Sequence, residues 1–453
     1  MKYAARGAAL LLLSLIVPAC IQNRSSTLAL APTTLTAAAV STGRIELSWV
    51  DQSTNEFEFR IERSDDGGTT YTQVGAAPMN AQTYSDLGLS SGTSYLYRVR
   101  AWNSKGNSDF AGPAGATTAA LAWAPGPMTG GPAVSRINHS AVFDSLQRRM
   151  IVFGGIDDFL NVYNELWFFD LSGASIPPPS PPSSPLWKQP TTTGIVAPLR
   201  MAHSAVFDLG HNRMVLFGGL DDSFVQRNEV FVLDLDTLTW SQPAVTGTPP
   251  TPRGFHTAVY DAANEQMIVF GGSDGTFELS GLYVLSLSDA TPFAWSTPAA
   301  GSGPIGREQH AAVYDSLRQR MVLFGGLDNN IISDGSVLNK DAWSLSPAAP
   351  WIPIGAVGGP GVRFGHSGVY DATNQRMLIF GGDTTTLPTL TSELWSLRLD
   401  GAETWSLLSP SGTPPLPRYA HTAIYDSIFN RMILYGGWDG LTVSFNEIWV
   451  IQL

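Results

Sequence analysis

A chain of 453 residues has room for two or three domains and a sizeable core, yet only 14% of its residues are charged, and it holds 45 Gly and 31 Pro. That composition describes many short strands joined by tight turns and leaves little sequence for long amphipathic helices. Its 38 acidic residues outnumber 26 basic ones and no Lys/Arg run offers a phosphate-tracking surface, which argues against a nucleic-acid partner.

Lys2 and Arg6 precede an apolar stretch at 8–17, which is too short to cross a bilayer core of ~30 Å as a helix. Residues 1–19 therefore read as an export signal, ending at Val17-Pro18-Ala19-Cys20. Cys20 is the one cysteine of the chain, so no intrachain disulfide can form. This ending resembles the lipobox of bacterial lipoproteins, although Pro18 departs from the usual small residue. The resemblance implies cleavage before Cys20, lipidation of Cys20, and a tether over 20–30. With Ile21-Gln22 and no Asp after the cysteine, it implies an outer-membrane or cell-surface lipoprotein in a Gram-negative cell. The alternative is an ordinary secretory signal cut near Ala19. Removing Lys2 and Arg6 leaves 24 basic against 38 acidic residues.

Residues 31–118 alternate apolar and polar at period 2. Ile45, Leu47 and Trp49 share one strand face, as do Phe57, Phe59 and Ile61, and then Tyr95, Tyr97, Val99 and Ala101. Turn signals at Asp65-Asp66-Gly67-Gly68 and Ser90-Ser91-Gly92 separate them. An early-strand Trp with a Leu89-x-x-Gly92-x-x-Tyr95 corner resembles fibronectin type III domains, which act mostly as spacers or adhesive modules.

From 119 to 453 one pattern recurs six times: Arg-x-x-His, an apolar run ending in Phe/Tyr-Asp, Met six residues after that Asp, and an apolar run closed by Gly-Gly. The pairs begin at Gly154, Gly218, Gly271, Gly325, Gly381 and Gly436, spaced 64, 53, 54, 56 and 55 residues apart. A fixed period of that size with strand-like runs predicts a radial or stacked array of four-stranded units. A fourth-strand Trp stands 15 or 16 residues before the next repeat's His, as Trp187 does before His203. Trp123 stands 16 before His139 with no repeat in front of it, and the chain ends on the sixth third strand, 447–453. The strand near Trp123 is therefore expected to complete the last unit and close the ring. The repeat resembles the kelch family. It implies an all-β fold, a six-bladed kelch-type β-propeller preceded by a fibronectin type III-like β-sandwich. The aromatic before each Gly-Gly and the fourth-strand Trp would pack between blades.

His139, His203, His256, His310, His366 and His421 recur once per unit, so each has the same local job, and blades around an axis cannot bring all six within ~2 Å of one ion. Arg136, Arg200, Arg253, Arg307, Arg363 and Arg418 are expected to pair with the acid before the third strand (Glu165, Glu229, Asp341, Glu393, Glu447) or with Asp144-type residues. The third unit has Gly281 there instead. Galactose oxidases share this fold but need a Tyr-linked Cys that the mature chain lacks. Ser64-x-Asp66-x-Gly68-x-Thr70-Tyr71 matches the Asp-box of sialidases once, in the first domain, where turn chemistry explains it. No catalytic residue, metal or cofactor is assigned.

The loop after Gly-Gly differs in every unit while the rest repeats, which makes that face the candidate ligand surface. Its candidate residues are Asp157, Asp158, Phe159, Asp221, Asp222, Phe224, Asp274, Phe277, Asp328, Asn329, Asn330, Trp438 and Asp439. Acid plus flat aromatic suits sugar or peptide recognition, while the competing reading has each Asp cap its own turn. A Pro-rich run at 176–185 stands between the expected third and fourth strands of the first unit, which predicts a place on the opposite face. The expectation is a non-enzymatic, cell-surface or secreted binding protein for a carbohydrate or protein ligand, held to the membrane only by its lipid. The alternatives are an extracellular carbohydrate hydrolase or oxidase with a site in the central channel, or a structural part of an envelope complex.

Overall fold

The structure is a computed structural model describing residues 27–126, 131–132, 134–173, 186–289, 292–299, 301–328, 337–338, 342–345, 350–356, 358–384, 389–401 and 403–453. The expected export signal with Cys20, the Pro-rich run, Asn329, Asn330 and Asp341 lie outside those residues. The described residues form strands and no helix, so none holds a helix long and apolar enough to cross a membrane.

The chain divides into two compact units. In the N-terminal one, Thr33–Ala39, Arg44–Val50 and Thr83–Leu87 form one sheet, and Thr72–Pro78, Glu58–Ser64 and Ser94–Asn103 lead a second. Alternation puts Leu47, Trp49, Phe59, Ile61, Tyr95, Tyr97, Val99 and Ala101 inside. Phe57 does not join them. It precedes its strand, is exposed, and meets the edge of Trp102 at 5.7 Å. The Asp-box is a self-contained hairpin: Asp66 accepts from the Thr70 amide and hydroxyl, and Ser64 Oγ accepts from the Gly68 amide.

Among the described residues the larger unit contains six sheets built on four antiparallel strands, the first five of them meanders. The second, for example, runs Ser204–Asp208, Arg213–Leu220, Gln226–Asp234, Thr239–Ser241. In the sixth, Thr422–Asp426, Arg431–Tyr435 and Ile448–Gln452 take their fourth strand from the other end of the unit, Trp123–Pro125, with Ile451 opposite Trp123. The first strands of successive sheets lie side by side, and that of the sixth lies against that of the first.

Sheets are joined by one repeated aromatic contact. The aromatic before Gly-Gly in each sheet packs on the outer Trp of the next: Phe153 on Trp240, Phe217 on Trp295, Phe270 on Trp351, Phe324 on Trp405, Phe380 on Trp123 and Tyr435 on Trp187, with centroids 4.8–5.1 Å apart. The His of the following repeat meets the same ring, with centroids 5.1–5.6 Å apart.

A fifth, parallel strand that no sequence pattern announces lies on some outer edges. Thr193-Gly194 lies along Thr239-Trp240, Thr246-Gly247 along Ala294-Trp295, and Ser411 bridges Ala122. Each connector thus covers the outer edge of the sheet it leads into, which would otherwise be open to pairing with another chain. Gly247 has φ 79°, and a Cβ there would stand 2.2 Å from the Trp295 carbonyl oxygen. Gly247→Ala is therefore expected to cost more than ~1 kcal/mol, read as a lower denaturant midpoint at unchanged slope.

Candidate functional site

The axis of the larger unit is built from the two residues between each Arg and His. The residue just before His has a φ of 52–63° in every repeat, although five of the six are not glycine. That left-handed turn aims its N–H and C=O around the ring. Ala202 donates to Asn138, Phe255 to Ala202, Gln309 to Phe255, Gly365 to Gln309 and Ala420 to Gly365; Asn138 then donates to Ala420 and closes a circle of bonds at 2.8–3.1 Å.

Just below this circle lie the six histidines, all buried. His139, His203, His256, His310 and His421 each place Nε2 2.7–2.8 Å from a hydroxyl on the preceding sheet: Thr422, Ser140, Ser204, Thr257 and Ser367. In the fourth sheet the matching residue is Ala311, and His366 Nε2 has no partner among the described residues. Burial, helped by the nearby arginine charges, pushes His139, His256 and His366 down to about 3, and His203, His310 and His421 well below the usual imidazole range. These rings are neutral at pH 7, and their ring nitrogens point to separate sheets. Among the described residues no group of His, Cys, Asp and Glu is placed to hold a metal.

Each repeat arginine is buried and donates Nη1 to the first glycine carbonyl of its own Gly-Gly, at 2.8–3.2 Å. Its own carbonyl accepts from the second glycine of the previous repeat, and Gly437 donates to Arg136 to complete the ring. Gly155, at φ 95°, shows why no side chain fits: a Cβ would stand 2.8 Å from the Ile137 oxygen. Arg136, Arg363 and Arg418 pair with Glu165, Glu393 and Glu447, while Glu229 stays 4.0 Å from Arg200. Arg253, facing Gly281, has no carboxylate within ion-pair distance among the described residues; Thr251 Oγ1 and the Tyr283 ring stand in. The Asp144-type residues serve a different set of arginines. Arg149, Arg213, Arg320, Arg376 and Arg431 bond Asp144, Asp208, Asp315, Asp371 and Asp426, and Gln266 bonds Asp261.

The Gly-Gly loops surround this axis, and their acids divide into two kinds. Asp157 accepts from the amides of Phe159 and Asn161 and from the Tyr163 hydroxyl. Asp221 accepts from the amides of Ser223 and Val225 and from Arg227, and Asp274 from the amides of Thr276 and Phe277. Asp439 accepts from the amides of Leu441, Thr442 and Val443. Burial alone would raise the Asp157, Asp221 and Asp439 carboxyls, but these bonds hold all three below the usual range. They shape their own loops, and Asp328 is likewise buried. Asp158 and Asp222 are exposed, and Asp158 reaches across to Ser444 of the sixth loop.

The aromatics divide too. Phe159 is 85% exposed, Phe277 68% and Phe224 44%, whereas Trp438 is half-buried and packs on Tyr419 at 5.5 Å. Beside the three phenylalanines stand residues that sequence reading overlooked: Leu160, Val225, Leu441 and Val443, all exposed. Together they make an apolar arc over the sixth, first, second and third loops. The strand-joining turns on the other face each expose at most one aliphatic side chain, at Leu146, Leu209, Leu317 and Ile428. Also missed were Phe255, Phe364 and Tyr419 at the axis. The signal for them was available, because the two residues between Arg and His vary in a repeat that otherwise holds constant.

At the rim of the axis, Glu308 is pushed up to about 7, by burial and by the charge of Glu278, against a weak bond from Gln309. Phe159→Ala, Phe224→Ala and Phe277→Ala are expected to stay within ~0.5 kcal/mol of the parent in denaturant unfolding. Trp438→Ala should cost more than any of them, since it removes a packed ring.

Residues 180–356 and 355–453 match the family described as the KLHDC2/KLHL20/DRC7 Kelch-repeats domain. The chain is 27% identical to putative adagio-like protein 2 of Oryza sativa subsp. japonica over 74% of its own length and 52% of that protein's. It is 27% identical to Kelch domain-containing protein 3 of Rattus norvegicus, over 68% of this chain and 79% of that one. It thus spans about half the length of the adagio-like relative. A solved structure described as YjhT aligns with 85% of this chain and 99% of its own at 12% identity, with a TM-score of 0.47.

Proposed function

We infer that this protein, which belongs to the KLHDC2/KLHL20/DRC7 Kelch-repeats domain family, is a non-enzymatic binding protein whose Gly-Gly loop face takes a protein ligand. The larger unit is read as a six-bladed kelch propeller and the smaller as a fibronectin type III-like spacer. One observation carries the reading: Phe159, Leu160, Phe224, Val225, Phe277, Leu441 and Val443 stand exposed on four consecutive loops of one face. Single exposed apolar residues need no explanation, but a grouped arc on a rigid scaffold is the composition of an interface core. The exposed Asp158 and Asp222 edge it with negative charge, which favours a partner with basic residues around its apolar anchor. A binding screen of the exported chain against surface proteins and glycans tests this. The expected result is a protein ligand lost on mutating the arc, and a ligand indifferent to the arc would refute it.

We propose that this face works outside the cytoplasm, with Cys20 as the lipid anchor, on the support of the charged and then apolar pattern of residues 1–19. Labelled palmitate is expected to enter the wild type and not Cys20→Ser, which should be released in soluble form; an unlabelled wild type would rule the anchor out.

A second reading, a carbohydrate-active site in the central channel, looks to Glu308, a carboxyl pushed up to about 7 by burial. Turnover of an oligosaccharide panel that Glu308→Gln abolishes would establish it.

A further inference from the structure

The first strands of the six sheets carry a second pattern, which has no part in joining the sheets. They are Ser140–Asp144, Ser204–Asp208, Thr257–Asp261, Ala311–Asp315, Ser367–Asp371 and Thr422–Asp426. Alternation buries the third residue of each and leaves the second and fourth half-buried. The second is alanine in five sheets and Gly368 in the other. The fourth is aromatic in all six: Phe143, Phe207, Tyr260, Tyr314, Tyr370 and Tyr425. All six aromatics line one cavity of about 250 Å³, together with Gly368 and four of the alanines. It lies where the first strands run into the strand-joining turns, at the end of the axis away from the Gly-Gly loops.

The charge around this cavity is uneven. Tyr260 donates its hydroxyl to Asp208 at 2.6 Å and Tyr370 to Asp315 at 2.8 Å, while Tyr425 donates to Asn430 at 2.7 Å. Asp144, Asp208, Asp315, Asp371 and Asp426 are each paired with an arginine. Asp261 is the exception. It is fully buried, takes bonds from the Asn264 and Gln266 side chains and the Ala263 amide, and has no Arg, Lys or His within ion-pair distance among the described residues. Burial would raise its carboxyl, yet its bonds hold it below the usual range, so it is ionised at pH 7. Tyr314 stands beside it, and burial together with the Asp261 carboxylate holds that phenol well above its usual range.

Six aromatic side chains, a floor of methyl groups and one uncompensated carboxylate select a cation whose own surface is apolar. Aromatic faces attract a cation within ~6 Å of the ring centroid, and quaternary ammonium groups suit such surroundings because they give up little bound water. A metal ion is poorly served, since it asks for ~6–8 oxygens where this wall supplies mostly carbon. An anion would meet the Asp261 charge. A water occupies ~30 Å³ of liquid volume, so the cavity has room for one small organic ion.

We propose that the turn-side end of the axis is an aromatic cage for a free quaternary ammonium compound of choline's size. The rings surround the alkylated nitrogen, and Asp261 favours it over a neutral molecule of the same shape. The cage lies at the other end of the axis from the loop arc, and either site can fail without the other.

Calorimetric titration of the full chain tests it, with choline as the probe and neopentyl carbinol, which has carbon in place of the nitrogen, as its neutral twin. Choline is expected to bind saturably at one site per chain, about tenfold or more tighter than the neutral twin. Phe143→Leu and Tyr314→Leu each remove a ring but keep an apolar wall. At least one should weaken choline about fivefold and leave the neutral twin within about twofold. Asp261→Asn should likewise weaken choline alone. Denaturant unfolding shows which variants are folded, and the comparison of the two ligands on the wild type needs none of them. Choline that fails to bind saturably at millimolar concentration overturns the proposal. So does a neutral twin that binds as tightly as choline, which would make this end of the axis an apolar hole blind to charge. Choline affinity unchanged in both ring variants overturns it as well, by placing the ion elsewhere.

Discussion

Deletion of residues 119–126 is expected to unravel the sixth sheet and lower the stability of the larger unit by several kcal/mol, or to send it into aggregates. The segment contributes the sheet's outer strand, with Trp123, Ala124 and Pro125 opposite Ile451, Val450 and Trp449. Trp123 packs on Phe380 of the fifth sheet at 5.1 Å, so its loss also opens the joint between the fifth and sixth sheets. Truncating one buried Trp costs ~3–5 kcal/mol, which makes Trp123→Ala the gentler version of the experiment. The deletion goes further by baring the backbone of Ile448–Gln452 as an unprotected edge. Denaturant unfolding with light scattering reads both effects. A deletion variant that melts with the intact chain would mean that the two ends of the ring do not hold it shut.

The histidine circle sets a second large effect, in acid. An unfolded imidazole takes up a proton near 6.5, whereas His139, His256 and His366 in the folded protein do so only at about 3, and the other three also stay neutral far below 6.5. The unfolded state therefore binds more protons throughout that window, and stability falls as pH drops from 6.5 toward 3. Each histidine contributes a slope of ~1.4 kcal/mol per pH unit once the pH is well below 6.5. Six acting together reach ~8 kcal/mol per unit, comparable with the whole stability of ~5–15 kcal/mol of an ordinary domain. The loop carboxylates Asp157, Asp221 and Asp439 act in the same direction, but only below about pH 4. The larger unit is expected to lose its fold between pH 6 and 4 with an uptake of several protons per molecule, measured by calorimetry in buffers of different ionisation enthalpy. Stability that stays level from pH 7 to 5 would contradict the neutral, buried state of these rings.

What could be read from the sequence, and what could not, follows from physical causes. Gly154-Gly155 and its five counterparts mark where a Cβ would strike backbone, a local demand that any copy of the repeat must meet. Trp123 stands as far before His139 as the other outer tryptophans stand before their histidines, and it is bonded to Ile451, because strand register follows from chain length between fixed points. The hydroxyl before each apolar run was just as regular, but its purpose depends on the next sheet, so the exception at Ala311 carried no meaning until His366 was seen beside it. The loop acids were ambiguous for a related reason. An Asp two residues past Gly-Gly can cap its turn or face a ligand, and only the bonds to the amides of Phe159, Val225 and Val443 assign Asp157, Asp221 and Asp439 to the loops themselves. Trp438 looked like Phe159 and Phe277 in the sequence. Its half-burial comes from Tyr419, which lies on a different segment. Leu160, Val225 and Leu441 were passed over because isolated aliphatic residues in loops carry no local signal, and the arc they form depends on the neighbouring sheets.

The measurement closest to the central claim compares the two faces of the larger unit against one partner. Whatever protein the chain captures should be titrated against wild type, Phe159→Ala, Phe224→Ala and Phe277→Ala, with Leu146→Ser, Leu209→Ser and Leu317→Ser from the opposite turns as the contrasting set. A buried anchor at an interface is worth ~2 kcal/mol or more, so at least one loop variant is predicted to bind about thirtyfold more weakly at unchanged fold stability, while the turn variants bind as wild type does. Full affinity in all three loop variants, with the loss falling on the turn variants instead, would move the binding surface to the other face and contradict the account.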